Sequence, residues 1–147
     1  MNAPLLEVTS LAKRFEIRRG LFKPARQLHA VAGIDLAMRP GEILGIVGES
    51  GCGKSTLGRM ITGLQAPSAG TIRIDGRDLM AIPRLERARL VQPIFQDPYS
   101  SLNPRRSIAA SVAEPLAIHG LGNAASNHAA ALAMLDRVGL PKRFADH

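Results

Sequence analysis

The glycine-rich stretch Gly48-Glu49-Ser50-Gly51-Cys52-Gly53-Lys54-Ser55-Thr56 constrains the fold more than any other part of the chain. It meets the pattern G-x-x-x-x-G-K-[S/T]. The unbroken apolar run Ile43-Leu44-Gly45-Ile46-Val47 precedes it, as expected of a strand buried on both faces of a parallel sheet. Residues 54–63 follow with Leu57, Met60 and Ile61 on one helical face and Gly63 near the end. Strand, loop and helix in that order predict an α/β fold. Gly48, Gly51 and Gly53 allow backbone conformations closed to other residues, so successive N–H groups converge as an anion nest. The helix beginning near Lys54 adds its positive dipole end beneath them. The expected ligand is the phosphate chain of ATP or a close relative. Lys54 is expected on the β and γ phosphates, the Ser55 hydroxyl on Mg²⁺, and Thr56 beside the α phosphate. Cys52 sits where a thiolate is favoured, yet it reads as a small residue that fits the turn. Its alkylation is expected to slow when ATP is bound.

Bulk composition fits one domain. The chain has 147 residues, 46% hydrophobic and 21% charged, so disorder is not expected over most of it. Aromatics make up only 3%, with no Trp, which predicts an aliphatic core. The net charge is +7, and Lys13, Arg14, Arg18, Arg19, Lys23 and Arg26 are opposed locally only by Glu16. Such a cluster can attract nucleic acid, anionic lipid or nucleotide phosphates. No aromatic or glycine pattern of a nucleic-acid module accompanies it, so it reads as a solvated basic loop and no nucleic-acid partner is expected. A single cysteine excludes an internal disulfide and a cysteine-cluster metal site, and fits a reducing compartment. No apolar run reaches membrane-spanning length, and the first residues lack the pattern of a secretory signal. His29, His119, His128 and His147 show no ligand spacing.

Elsewhere, residues 5–9 and 12–17 read as short strands around a turn. Residues 28–38 read as a half-buried strand of period two, with Gly33 marking a bulge. Residues 71–74 form a further strand closed by Asp75-Gly76, and residues 84–90 a charged helix. Residues 91–95 are expected to be a strand despite Pro93, and residues 97–106 irregular. Helices are expected over 107–118, disturbed by Pro115, and over 125–138, with Leu132, Leu135 and Val138 as its apolar stripe.

A phosphate loop alone leaves a kinase, a GTPase, a DNA-repair ATPase and a transporter motor open. Further segments narrow the choice. Val8-Thr9-Ser10-Leu11-Ala12-Lys13-Arg14-Phe15, residues 40–56, Ser68-Ala69-Gly70-Thr71-Ile72 and Phe95-Gln96-Asp97-Pro98 occur in the order found in ATP-binding cassette (ABC) proteins, which this chain resembles. Arg18-Arg19-Gly20-Leu21, residues 95–105 and Glu114-Pro115-Leu116 resemble more closely the ATP-binding subunits of oligopeptide and dipeptide (and nickel) importers. The resemblance implies a P-loop NTPase core with an antiparallel accessory sheet over about residues 1–95. It also implies a Q-loop and the start of a helical subdomain over about 96–147. By the same resemblance, Phe15 matches the aromatic on which adenine stacks, where any flat π face suffices. Gln96 matches the glutamine whose side-chain oxygen reaches Mg²⁺ and the attacking water, making Lys54 and Gln96 the expected catalytic groups. The implied partners are membrane permease subunits, met through the region after Gln96, a second ATP-binding subunit, and indirectly an extracytoplasmic solute-binding protein. The implied location is cytoplasmic, peripheral on the inner face of the cell membrane.

The family's pattern is only half present. Nothing matches the L-S-G-G-Q signature, the apolar strand ending in Asp-Glu, or the switch histidine beyond it. In the family these follow a segment resembling Val138-Gly139-Leu140-Pro141, so the chain reads as a truncated product or fragment. Without a base or water-positioning carboxylate, it is expected to bind ATP weakly, if at all, and not to turn it over. A DNA-associated ATPase of the same superfamily, using the basic stretch, and a non-catalytic nucleotide-binding module remain the alternatives. A P-loop kinase lacks an acceptor or lid signature.

Overall fold

Apolar residues at Leu6, Val8 and Leu11 build the first strand, and their spacing departs from strict alternation at one point. β1 (Leu6–Ile17) runs through the place where a turn was expected. Ser10 there adopts φ 47, its N–H donates to Asp35 Oδ1 at 2.6 Å, and the pairing register slips between Val8 and Leu11. One extra residue reverses the parity of a strand, so this bulge lets Leu6, Val8 and Leu11 all face the core. β2 (Arg26–Met38) pairs antiparallel with β1, and Gly33, at φ 71, falls at the register shift between the Leu11–Ile34 and Ala12–Ala32 pairs. β3 (Ala69–Ile74) pairs with the other edge of β1, and β4 (Arg77–Asp78) closes a hairpin through Asp75 and Gly76. Both turn residues have positive φ, as tight hairpins require. The sheet order is β2-β1-β3-β4, antiparallel throughout.

This computed structural model describes residues 3–17, 26–97 and 102–146, and the chain divides into two units, Met1–Pro93 and Ile94–His147. Arg18, Arg19 and Lys23 of the basic cluster, and residues 98–101 of the expected permease-facing stretch, lie outside the described residues. In the first unit, α1 (Lys54–Ile61) lays Leu57 and Met60 on Leu6, Val8, Leu11, Val31, Ile72 and Ile74. The core is aliphatic, as the scarcity of aromatics requires. α2 (Arg84–Leu90) is tied to β4 by an ion pair, Arg77 Nη1 to Glu86 Oε1 at 2.7 Å. The hydrogen bond from Arg77 holds the Glu86 carboxyl below its ordinary value.

Two expected strands are not formed. Residues 43–47 and 91–95 have no strand pairing, and Ile43, Val47 and Ile94 are 98%, 96% and 99% exposed. Their apolar runs supply strand propensity, but a strand buried on both faces needs a partner on each edge. The described strands pair only among themselves.

In the second unit, α3 (Ile108–Ile118) and α4 (Ala124–Arg137) pack around Ala109, Leu135 and Ala145. The Ser107 hydroxyl caps α3 by accepting from Ala110 N at 3.2 Å. Asn123 and Ser126 cap α4 reciprocally, Ser126 N donating to Asn123 Oδ1 and Asn123 N to Ser126 Oγ. Pro115 sits in the last half of α3 without ending it. Leu135 of the expected stripe is buried, whereas Val138, at the end of α4, is 66% exposed.

Candidate nucleotide site

The glycine-rich loop is shaped at its two ends by different constraints. At Gly53 the backbone takes φ 101, and a Cβ there would lie 2.2 Å from the Ala30 carbonyl oxygen of β2. Only a residue without a side chain can bring the loop this close to the strand. At Gly48, a Cβ would meet Cys52 Sγ at 2.7 Å, so the loop closes on itself. Gly51 takes φ 81 in open space. α1 starts directly after Gly53, with no side chain capping it. Leu57 N donates to Gly53 O at 2.9 Å, while the N–H groups of the turn before it have no carbonyl within the helix to bond. Those donors, with the helix dipole, favour an anion.

Lys54 folds back across the loop. Its Nζ donates to Gly48 O at 2.7 Å and Glu49 O at 2.6 Å, and lies 3.6 Å from Cys52 Sγ. An ammonium group carries three donors, and Gly48 O, Glu49 O and Cys52 Sγ take them; the weak bond to sulfur is the one that a phosphate oxygen can replace. Glu49, Ser50, Cys52 and Ser55 are exposed around it, and Thr56 is half-buried. Ser55 offers one hydroxyl oxygen in the first turn of α1. Among the described residues no group of three or more His, Cys, Asp or Glu could hold a metal. This donor set fits Mg²⁺ only as an ion that keeps waters and phosphate oxygens as its main ligands. In this unit Ser55 would supply the protein ligand.

Phe15 is half-buried on β1 and faces Leu28 across the β1–β2 pair. Ala30, against which Gly53 packs, lies two residues farther along β2. Ala30 is the extra residue at the register shift between the Lys13–Val31 and Arg14–His29 pairs, so the loop is seated where β2 bulges, one short step from the aromatic's partner. Phe15 and the loop both belong to the first unit and both border β2. Gln96 belongs to the second unit, where it is exposed and outside any helix or strand. The sequence places Lys13 in the basic cluster and does not mark it as a residue of this site. Its Nζ lies 5.5 Å from the centre of the Phe15 ring and donates to Ala66 O at 2.7 Å. The signal was the i, i+2 spacing to Phe15 on a strand of period two. The Ala30 contact carried no sequence signal, since it uses backbone only.

Comparison with known proteins shows the family and the fold. Residues 31–147 match the family model described as ABC transporter. The dipeptide transport ATP-binding protein DppF of Haemophilus influenzae is 37% identical over 148 residues, covering 99% of this chain and 45% of that protein. The glutathione import ATP-binding protein GsiA of Salmonella choleraesuis is 44% identical over 141 residues, covering 93% of this chain and 23% of that protein. This chain therefore spans less than half the length of these relatives. In fold it is similar to the ATP-binding cassette MJ0796, solved as a dimer in a post-hydrolysis state with ADP and Pi. The TM-score is 0.75 at 24% identity, over 97% of this chain and 60% of that one. The apolar run, the glycine loop held against β2, the lysine folded across it and the antiparallel sheet are thus features of a chain that belongs to the ABC transporter family, among relatives that serve dipeptide and glutathione import.

Proposed function

We propose that this chain forms part of the nucleotide-binding subunit of an importer for peptides or similar solutes, and that it binds MgATP on the loop from Gly48 to Thr56. The observation that carries the reading is Lys54, pinned by two loop carbonyls over the uncapped start of α1. Lys54 and the loop N–H groups take the β and γ phosphates, Ser55 takes Mg²⁺, and Phe15 takes the adenine ring. Gln96 serves Mg²⁺ and the attacking water. The ion supplies charge neutralisation on the phosphates. Coupling to transport uses a second ATP-binding subunit and permease subunits contacted through the region after Gln96, at the inner face of the membrane. None of the groups named here is a carboxylate that could act as base on water, so by themselves they bind and orient the nucleotide without hydrolysing it.

Calorimetric titration of the chain with MgATP tests the reading. Lys54→Ala is expected to weaken binding about 10- to 100-fold, the usual worth of a charge-assisted contact. Equal affinities for wild type and variant would remove the loop from the site. Phosphate release comparable to a complete transport ATPase, abolished by Lys54→Ala, would contradict the non-hydrolytic part.

A further inference from the structure

Lys13 is held where it can act on Phe15. Its ammonium group lies over the Phe15 ring, 5.5 Å from the centre, and is tethered by its 2.7 Å bond to Ala66 O. Ala66 belongs to the segment that follows α1, the helix on which the phosphate loop is built. The same segment is bonded to β1 on either side of Lys13. Ser68 N donates to Ala12 O at 2.8 Å, and Arg14 N donates to Ser68 Oγ at 3.1 Å. Ser68 Oγ in turn donates to Arg14 O at 3.4 Å. A cation over one face of an aromatic ring is attracted by its negative π density and excludes other groups from that face. It also draws density from the opposite face, which lessens the repulsion between that face and the π cloud of a stacked base.

We propose that Lys13 is a positioning residue for the base. It clamps the Phe15 ring from one side, so that the ring offers a single prepared face to a purine, and it acts on ATP through the base and not through the phosphates. The proposal rests on Phe15 being the base platform. The Ala66 tether also joins that platform to the segment leaving the phosphate-loop helix, so base shelf and phosphate cradle are fixed to one another.

The test is titration of the full chain, in the presence of Mg²⁺, with ATP and with inorganic tripolyphosphate, which has the charges but no base. Lys13→Met is expected to weaken ATP about two- to fivefold and to leave tripolyphosphate unchanged. Lys13→Arg, which keeps a cation able to lie over the ring, is expected to restore the wild-type affinity for ATP. In a Phe15→Ala background, Lys13→Met is expected to add no further loss. Unaltered circular dichroism of the variants separates these effects from misfolding. Equal losses on both ligands would make Lys13 a phosphate contact and overturn the proposal. So would an unchanged ATP affinity in Lys13→Met while Phe15→Ala still weakens it. If Phe15→Ala leaves ATP affinity intact, the platform reading itself is wrong, and the role of Lys13 falls with it.

Discussion

Gly51 and Gly53 both occupy left-handed backbone, at φ 81 and φ 101, but they differ in what surrounds them. A methyl group at Gly51 meets nothing within 4 Å, whereas at Gly53 it meets the Ala30 carbonyl at 2.2 Å. Gly51→Ala is therefore expected to cost only backbone strain, about 1–3 kcal/mol. Gly53→Ala adds a collision with backbone that cannot move without opening β2. Chemical denaturation should rank the two variants in that order, and nucleotide titration should show a larger loss for Gly53→Ala. Reversal of the rank would mean that the loop is not seated on β2. Cys52 offers a probe needing no mutation. It is exposed beside Lys54, so alkylation should slow when MgATP covers the loop; an unaltered rate would argue against a ligand there.

The helices show what capping and charge contribute to individual elements. Asn123→Ala removes one half of the reciprocal cap on α4 and is expected to cost about 1 kcal/mol, read as a lower denaturation midpoint. Glu86 has a definite pH signature. Its carboxyl is held below the ordinary value by Arg77, so the pair's stabilisation is present above the ordinary carboxylate range and is lost as pH falls through the lowered value. Glu86→Gln should accordingly be slightly less stable than wild type near neutral pH and equal to it in strong acid. A difference that grows on acidification would reverse this sign. The same elements show how far the sequence could be read. Helices α1 and α2, the Asp75-Gly76 hairpin and the bulge at Gly33 follow from local signals such as period, turn chemistry and positive φ. The bulge at Ser10 reads as a turn in the sequence, because a bulge and a turn both interrupt alternation and only the pairing partner tells them apart. Residues 43–47 and 91–95 carry the right composition for strands, but a strand exists only through its neighbours, and composition does not contain them. Within the site, the loop was legible because its chemistry is local. Its seat on Ala30 and the position of Lys13 over Phe15 depend on which strand lies beside which.

At the scale of the chain, the four-stranded sheet and α1 bury one aliphatic core, while Ile43, Val47, Ile94 and Phe95 stay on the surface. Unpaired apolar segments of this kind pair readily with copies of themselves. Sedimentation is expected to show association that grows with protein concentration, and Ile43→Lys with Ile94→Lys to reduce it while changing stability by about 0.5 kcal/mol or less. A monodisperse wild-type chain at high concentration would show that these segments find other cover. β2 stands out as the ruler of the molecule. Leu28 marks the height of the aromatic and Ala30 the height of the phosphate loop, so the length of ligand that fits both marks is written into two residues of one strand. The register shift at Gly33 lies beyond Ala30, on the side away from Leu28, whereas the shift between the Lys13–Val31 and Arg14–His29 pairs falls at Ala30 itself and is part of that graduation. A residue inserted at Gly33 should therefore be tolerated, whereas one inserted at His29 should miscalibrate the chain, leaving it able to grip a bare triphosphate but unable to measure a nucleotide.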